Sequence, residues 1–141
     1  MSALKLHYIV PGDDFTRAGE ASSAIKNELK QMGIDSDIIR NVSIAAYEGE
    51  INMFIHANGG TIDVIIDAVS ITLILTDTGE GIPDVGLAMC EGFSTAKDEI
   101  RSLGFGAGMG LPNMKKYVDE FEIKSEVGKG TEVKMKVYIN K

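Results

Sequence analysis

An acidic residue and two glycines follow the most apolar run of the sequence. Residues 69–75 are rich in Ile and Leu, and residues 77–81 then read Asp-Thr-Gly-Glu-Gly. An apolar strand that ends in this way places the carboxylate of Asp77 at a sheet edge, where the backbone of Gly79 and Gly81 can approach a ligand closely. A plain strand exit has the same pattern, so the motif indicates a site only if other segments supply the rest of it.

A second pair of polar groups lies on a predicted helix that begins near residues 35–37 and ends at about residue 57. Glu48 and Asn52 are four residues apart, which places them one turn from each other on the same face. Such a pair is either an ordinary surface pair or part of a ligand site. Glu50 is expected to point elsewhere.

A glycine-rich run precedes the last predicted helix. Residues 104–110 read Gly-Phe-Gly-Ala-Gly-Met-Gly, and free N–H groups and the helix dipole favour phosphate at such a position. A Walker loop is excluded because Leu111 and Pro112 follow the last glycine in place of Lys and Ser or Thr. The Rossmann spacing also fails, since the sixth position holds Met109 or Leu111. A phosphate site here must be of another kind.

The composition narrows the classes of partner. The net charge of −7, from 21 acidic and 14 basic residues, argues against general affinity for nucleic acid or anionic lipid. A polyanion would need a metal ion, backbone N–H groups and a few well-placed bases. The sequence has no apolar run of membrane-spanning length and no secretory signal, and its single cysteine, Cys90, favours a cytoplasmic setting.

The periodicity predicts one α+β domain over residues 1–141, a two-layer sandwich with a mostly antiparallel sheet and its helices on one face. The first helix is expected to have Asp13 or Asp14 as its cap and Gly33 at its end. Residues from about 83 to 109 lack clean periodicity and are interpreted as a lid. The predicted strands are 4–10, 61–66, 69–76, 121–127 and 132–138, and the predicted helices are 15–32, 35–57 and 114–120.

Taken together, these motifs resemble the GHKL (Bergerat-fold) ATPases, a superfamily that includes gyrase B, Hsp90, histidine kinases and MutL. Within it, the chain is most similar to the stand-alone bacterial anti-sigma factor serine/threonine kinases. The motifs that carry the resemblance are Glu48-x-x-x-Asn52, Asp77-x-Gly79-x-Gly81, Phe93-Ser94-Thr95, Gly106-x-Gly108-x-Gly110-Leu111 and Gly128-x-Gly130-Thr131.

The resemblance implies a role for each matching position. Asp77 would accept a hydrogen bond from the adenine amine, Asn52 would present its amide oxygen to Mg²⁺, and Glu48 would be the general base. Lys97 or Arg101 would neutralise charge on the γ-phosphate, with Arg101 the preferred catalytic candidate. The other residues expected to bind ATP are Gly79, Gly81, Thr95, Gly106, Gly108, Gly110, Leu111 and Thr131.

The function implied is an ATP-dependent protein serine kinase that sequesters a sigma factor and phosphorylates an antagonist protein. The sequence leaves a monomer and a homodimer as alternatives. A protein-binding module that ATP gates without phosphotransfer is the alternative. A detached histidine-kinase catalytic domain ranks lowest, because His7 lies in a predicted strand and His56 at a helix end. Gly49 is unusual in this setting, since a helix interior is weakened by about 1 kcal/mol by Gly relative to Ala.

Overall fold

The computed structural model describes residues 3–12, 15–56, 59–79 and 110–139. In chain order, this part contains β1 (Leu4–Pro11), a 3₁₀ turn (Phe15–Arg17), α1 (Glu20–Gln31), α2 (Ser36–His56), β2 (Gly59–Ile66), β3 (Ser70–Asp77), α3 (Gly110–Tyr117), β4 (Glu120–Glu126) and β5 (Gly130–Tyr138). None of the helices described is long and apolar enough to cross a membrane.

The five strands form one antiparallel sheet with the order β1-β2-β3-β5-β4. Alternate residues of the inner strands are buried and pair across the sheet, as Val64 does with Leu73 and Leu73 with Met135. These side chains share one core with the buried faces of all three helices. The predicted α+β sandwich with helices on one face is therefore confirmed.

The hairpin between β2 and β3 is also confirmed. The Oδ1 atom of Asp67 accepts hydrogen bonds from the N–H groups of Val69 and Ser70, both at 2.8 Å. These two bonds hold the pKa of the Asp67 carboxyl below its ordinary value. A side chain that bonds the backbone of its own turn is a common way to close such a connection.

The first helix begins later than the sequence predicts. Instead of one helix from residue 15, a 3₁₀ turn is followed by Gly19 with φ of 98°, and α1 starts at Glu20. A left-handed glycine interrupts the helical path, so the expected cap at Asp13 or Asp14, which lies outside the described residues, is not the cap of α1. The predicted end at Gly33 is confirmed: with φ of 74°, its N–H bonds the Lys30 carbonyl at 3.1 Å.

The last helix is shifted toward the N-terminus relative to the predicted residues 114–120. It spans Gly110–Tyr117, and Pro112 lies in its first turn as expected. Asp119 ends the helical path, because its N–H donates to the Lys136 carbonyl at 2.9 Å and its carboxylate accepts from the Tyr138 N–H at 2.8 Å. These bonds draw the chain into β4.

Candidate functional site

Asp77 ends the central strand between two glycines on the neighbouring strands. A Cβ atom at Gly130 on β5 would lie 2.1 Å from the Asp77 carbonyl oxygen, and one at Gly60 on β2 would lie 2.3 Å from the Thr76 carbonyl oxygen. Gly130 also has φ of 121°, which L side chains rarely adopt. The exit of β3 therefore requires glycine on both sides, because a side chain at either position would collide with its backbone.

The Asp77 carboxylate uses one of its two oxygens to hold this exit together. Oδ1 accepts hydrogen bonds from the N–H groups of Gly79 at 3.0 Å and Thr131 at 3.2 Å. No donor among the described residues reaches Oδ2, so that oxygen of a half-buried carboxylate can accept a bond from a ligand. The structure thus brings together three predicted site residues, Asp77, Gly79 and Thr131.

Ser125 on β4 extends this cluster, and sequence reasoning missed it. Its hydroxyl lies 2.8 Å from the hydroxyl oxygen of Thr131 and donates to the Gly130 carbonyl at 3.2 Å. The register pairs Ser125 with Thr131 directly. Only that cross-strand pairing, which periodicity does not specify, would have revealed the contact.

The helix layer packs on the face of β3 to which Asp77 points. Side chains alternate along a strand, so Asp77 points to the same face of β3 as Leu75. Leu75 packs on Gly49 of α2, where an added Cβ atom would lie 2.0 Å from the Leu75 Cδ2 atom and 3.3 Å from the Met114 Sδ atom. The absence of a side chain at Gly49 lets β3 and α3 approach α2. The helix-weakening glycine thus has a packing reason that its sequence context did not show.

Glu48 and Asn113 meet where α2 packs against α3. The Asn113 Nδ2 atom donates to the Glu48 Oε1 atom at 3.5 Å. Burial raises the pKa of the half-buried Glu48 carboxyl above its ordinary value, and the Asn113 hydrogen bond lowers it in part. A carboxylate with a raised pKa is a better proton acceptor, which is the property that a general base requires. Asn113 was not predicted as a site residue.

Asn52 lies one turn after Glu48 on α2 and is also half-buried. Within the described ranges, no group of three or more His, Cys, Asp or Glu side chains could hold a metal ion. One amide oxygen is nevertheless compatible with Mg²⁺, which takes most of its ligands from water and substrate phosphates. Among the described residues, the donor set at this position therefore fits a nucleotide-bound Mg²⁺ and not a metal held by protein groups alone.

Gly110 is the first residue of α3, and Leu111 after it is buried at 6% exposure. The glycine-rich run therefore ends at a helix N-terminus, as predicted. The other predicted positions lie outside the described residues, together with Cys90 and the lid at 83–109. Those positions are Gly81, Thr95, Lys97, Arg101, Gly106 and Gly108.

Glu50 faces away from this site, as expected, but its environment was not foreseen. Its side chain is 1% exposed and accepts hydrogen bonds from the N–H groups of Gly19, Ala21 and Ser22 at 3.0, 3.2 and 3.0 Å. Gly19 is the N-cap residue of α1 and provides no side-chain bond. A carboxylate on α2 therefore caps α1.

Known proteins similar to this chain agree with the family prediction. Residues 13–137 match the histidine kinase-like ATPase domain. An anti-sigma F factor from Thermoanaerobacter sp. (strain X514) is 38% identical over 104 residues, which cover 74% of this chain and 65% of that relative. The serine/threonine-protein kinase RsbT from Bacillus subtilis (strain 168) is 32% identical over 112 residues, which cover 77% of this chain and 78% of RsbT.

Solved structures show the same fold at lower identity. The RsbU and RsbW domains of Rv1364c from Mycobacterium tuberculosis superpose with a TM-score of 0.61 at 17% identity, covering 95% of this chain and 32% of that one. The mycobacterial sensor histidine kinase MprB gives a TM-score of 0.54 at 17% identity, covering 96% of this chain and 97% of that one. With the motifs in order and the family match over most of its length, the chain belongs to the histidine kinase-like (GHKL) ATPase domains.

Proposed function

We propose that this protein is an ATP-binding serine kinase of the anti-sigma-factor type, which sequesters a sigma factor and phosphorylates an antagonist protein. The observation that carries the proposal is the presence of two carboxylates on the helix side of the sheet, each in a different environment. Asp77 is fixed by two backbone N–H groups, and its other oxygen has no donor among the residues that the structure describes. Glu48 is half-buried, and its pKa is raised. Asp77 suits recognition of the adenine amine, and Glu48 suits proton transfer.

Adenine recognition rests on the exit of β3. The Oδ2 atom of Asp77, which no donor in the described part of the chain reaches, would accept a hydrogen bond from the exocyclic amine. Gly60 and Gly130 keep side chains away from the strand exit on either side. Thr131, whose N–H already binds Asp77, would border the ring directly or through water. A ring amine and a fixed acceptor form a complementary pair.

The phosphates would extend toward the N-terminus of α3, where unpaired N–H groups favour an anion. Asn52 would contribute its amide oxygen to Mg²⁺, which neutralises phosphate charge when bound. In the transfer step, the serine oxygen of the substrate forms a bond to the γ-phosphorus as the bond from that phosphorus to the bridging oxygen breaks. ADP leaves, and the serine proton passes to the Glu48 carboxylate.

Phosphotransfer from γ-labelled ATP with Mg²⁺, in lysate of the protein's own host, tests the function. The variants are Glu48→Gln, Asp77→Asn and the control Glu126→Gln, whose side chain is exposed near the turn after β4. We expect label on a serine of a partner protein with wild type and the control. Glu48→Gln should lower transfer by about 10²-fold or more while ATP still binds, because general-base catalysis contributes roughly 10²–10⁴-fold.

Asp77→Asn should lose ATP binding itself in calorimetry, because an amide that keeps its oxygen on the two N–H groups presents donors to the adenine amine. Normal ATP binding without any phosphotransfer would overturn the kinase assignment in favour of an ATP-gated binding module. Acid-labile label on a partner histidine would instead indicate a histidine-kinase catalytic domain.

A further inference from the structure

The position opposite Glu48 on α3 is occupied by a neutral amide. Asn113 is half-buried, and its Nδ2 atom lies 3.5 Å from the Glu48 Oε1 atom, near the long limit of a hydrogen bond. Ion pairs with Lys or Arg would lower the proton affinity of a carboxylate strongly, whereas an amide donor does so weakly. Asn113 can therefore orient Glu48 without removing its basicity.

The backbone packing around this contact fixes where Asn113 lies. Its neighbours on α3, Leu111 and Met114, are 6% and 1% exposed and belong to the core. Gly49, next to Glu48, admits the Met114 sulfur atom at a distance that a Cβ atom would crowd. Because both helices are anchored on either side of the contact, the amide has little freedom to move away from the carboxylate.

We propose that Asn113 is a positioning residue that holds one oxygen of Glu48 and leaves the other free to take the proton. This inference rests on the kinase function proposed above. Asn113 stands in the first turn of α3, the helix that begins at Gly110. The residue that orients the base is thus carried by the same helix terminus that would face the phosphates, so base and phosphate positions are set by one element.

The charged groups on the elements packed around Glu48 are few in the described part of the chain. On β3 and α3 they are Asp77 and the exposed Lys115 and Lys116; on α2 itself the nearest is Glu50, whose carboxylate binds the start of α1. Burial raises the pKa of Glu48, and the hydrogen bond from Asn113 offsets part of that rise. Loss of the amide should therefore raise the pKa of Glu48 further, which gives the proposal a signature that a purely structural role lacks.

The test compares Asn113→Ala and Asn113→Gln with the control Lys115→Ala, an exposed residue of the same helix. In the protein without substrate, a carbon-detected NMR titration of the Glu48 carboxyl should show a higher pKa in Asn113→Ala. Lys115→Ala should match wild type. Asn113→Gln, which keeps an amide on a longer side chain, should bring the pKa of Glu48 part of the way back to the wild-type value.

In the kinase assay, Asn113→Ala should lower kcat about tenfold with little change in KM for ATP, because misorientation of a catalytic group affects the transition state more than binding. The acid limb of its pH profile should move to higher pH. An unchanged Glu48 titration in Asn113→Ala would overturn the positioning role. If wild type transfers no phosphate yet the titration moves as expected, the kinase function fails while the contact between Asn113 and Glu48 stands.

Discussion

Glu48 and Glu50 stand two residues apart on α2, and their carboxylates serve opposite sides of that helix. Glu50 is buried and accepts three backbone hydrogen bonds from the start of α1. Glu48 is half-buried toward α3, where its only described hydrogen-bond donor is the Asn113 amide. One carboxylate is thus committed to structure and the other is available for chemistry, although both occur in one short stretch of sequence.

The Glu50 cap should contribute strongly to stability. Glu50→Gln leaves three N–H donors, two of them buried and one part-buried, with one acceptor oxygen and brings an amide group toward them. We therefore expect the free energy of unfolding to fall by about 2–4 kcal/mol. Urea unfolding monitored by circular dichroism measures the change. The matched variant Glu48→Gln, on the same helix, should show no such loss at neutral pH. Equal stabilities of the two variants would contradict the cap.

Glu48 should make stability depend on pH in a definite direction. Its pKa in the folded protein is raised above the ordinary value of 4.5, mainly by burial. The protonated form is therefore favoured in the folded state, and the stability that it contributes is present below about pH 4.5 and lost as the pH rises through the raised pKa. Glu48→Gln removes this loss.

Thermal unfolding of Glu48→Gln and wild type from pH 4 to pH 8 tests that dependence. The variant should be more stable than wild type at pH 7–8, and the difference should shrink toward pH 4. A base that is kept at some cost to the folded state is common in active sites. A constant difference across the range would mean that Glu48 titrates as it does in the unfolded chain.

Gly130 should tolerate no side chain. Gly130→Ala combines φ of 121° with a Cβ atom 2.1 Å from the Asp77 carbonyl oxygen, so we expect a loss of about 2–4 kcal/mol in stability and at least a tenfold weaker affinity for ATP. Gly128, in the turn just before Gly130, has φ of 85° but no atom within 4 Å of an added Cβ. Gly128→Ala should therefore cost about 1–2 kcal/mol and leave ATP affinity within about twofold.

Calorimetric titration with ATP distinguishes these two variants. If both variants weakened ATP binding equally, the effect would come from stiffening the turn and not from displacing Asp77.

Gly49 offers a test in which packing opposes helix propensity. Gly49→Ala gains about 1 kcal/mol in propensity, but overpacking against Leu75 and Met114 typically costs about 1–3 kcal/mol. We expect a net loss of stability in urea unfolding. In a double-mutant cycle, Gly49→Ala should be less harmful in a Leu75→Val background, because the Cδ2 atom that it meets is gone. Additive effects would exclude a direct contact.

Much of the architecture follows from periodicity. Strand alternation and the Asp67 turn placed the β2–β3 hairpin correctly, and Asp77 meets Thr131 because the motif positions lie at paired strand ends. The start of α1 was wrong because the interruption depends on Gly19, whose conformation is supported by a distant carboxylate. The end of α3 was wrong because bonds from Asp119 to β5 outweigh local helical preference.

Two contacts, one in the site and one at the start of α1, could not be predicted from the sequence. Asn113 contacts Glu48 only because α3 packs on α2. In the sequence it is an Asn that follows a proline, and this pattern alone does not predict the contact. The partners of Glu50 are backbone N–H groups, which every residue except proline carries. Because nearly every residue has such a donor, residue types do not reveal this contact. The glycines beside Asp77 can be recognised in the sequence because only glycine fits at those positions.

The cap on α1 should also set an order for the events of folding. Its acceptor is supplied from 28 to 31 residues farther along the chain, so α1 lacks its N-terminal bonds until α2 has formed and docked. A helix of 12 residues is marginal on its own in water. The peptide of residues 15–35 should accordingly show little helix, and α1 should consolidate late, after the longer α2 has provided the surface and the carboxylate that complete it.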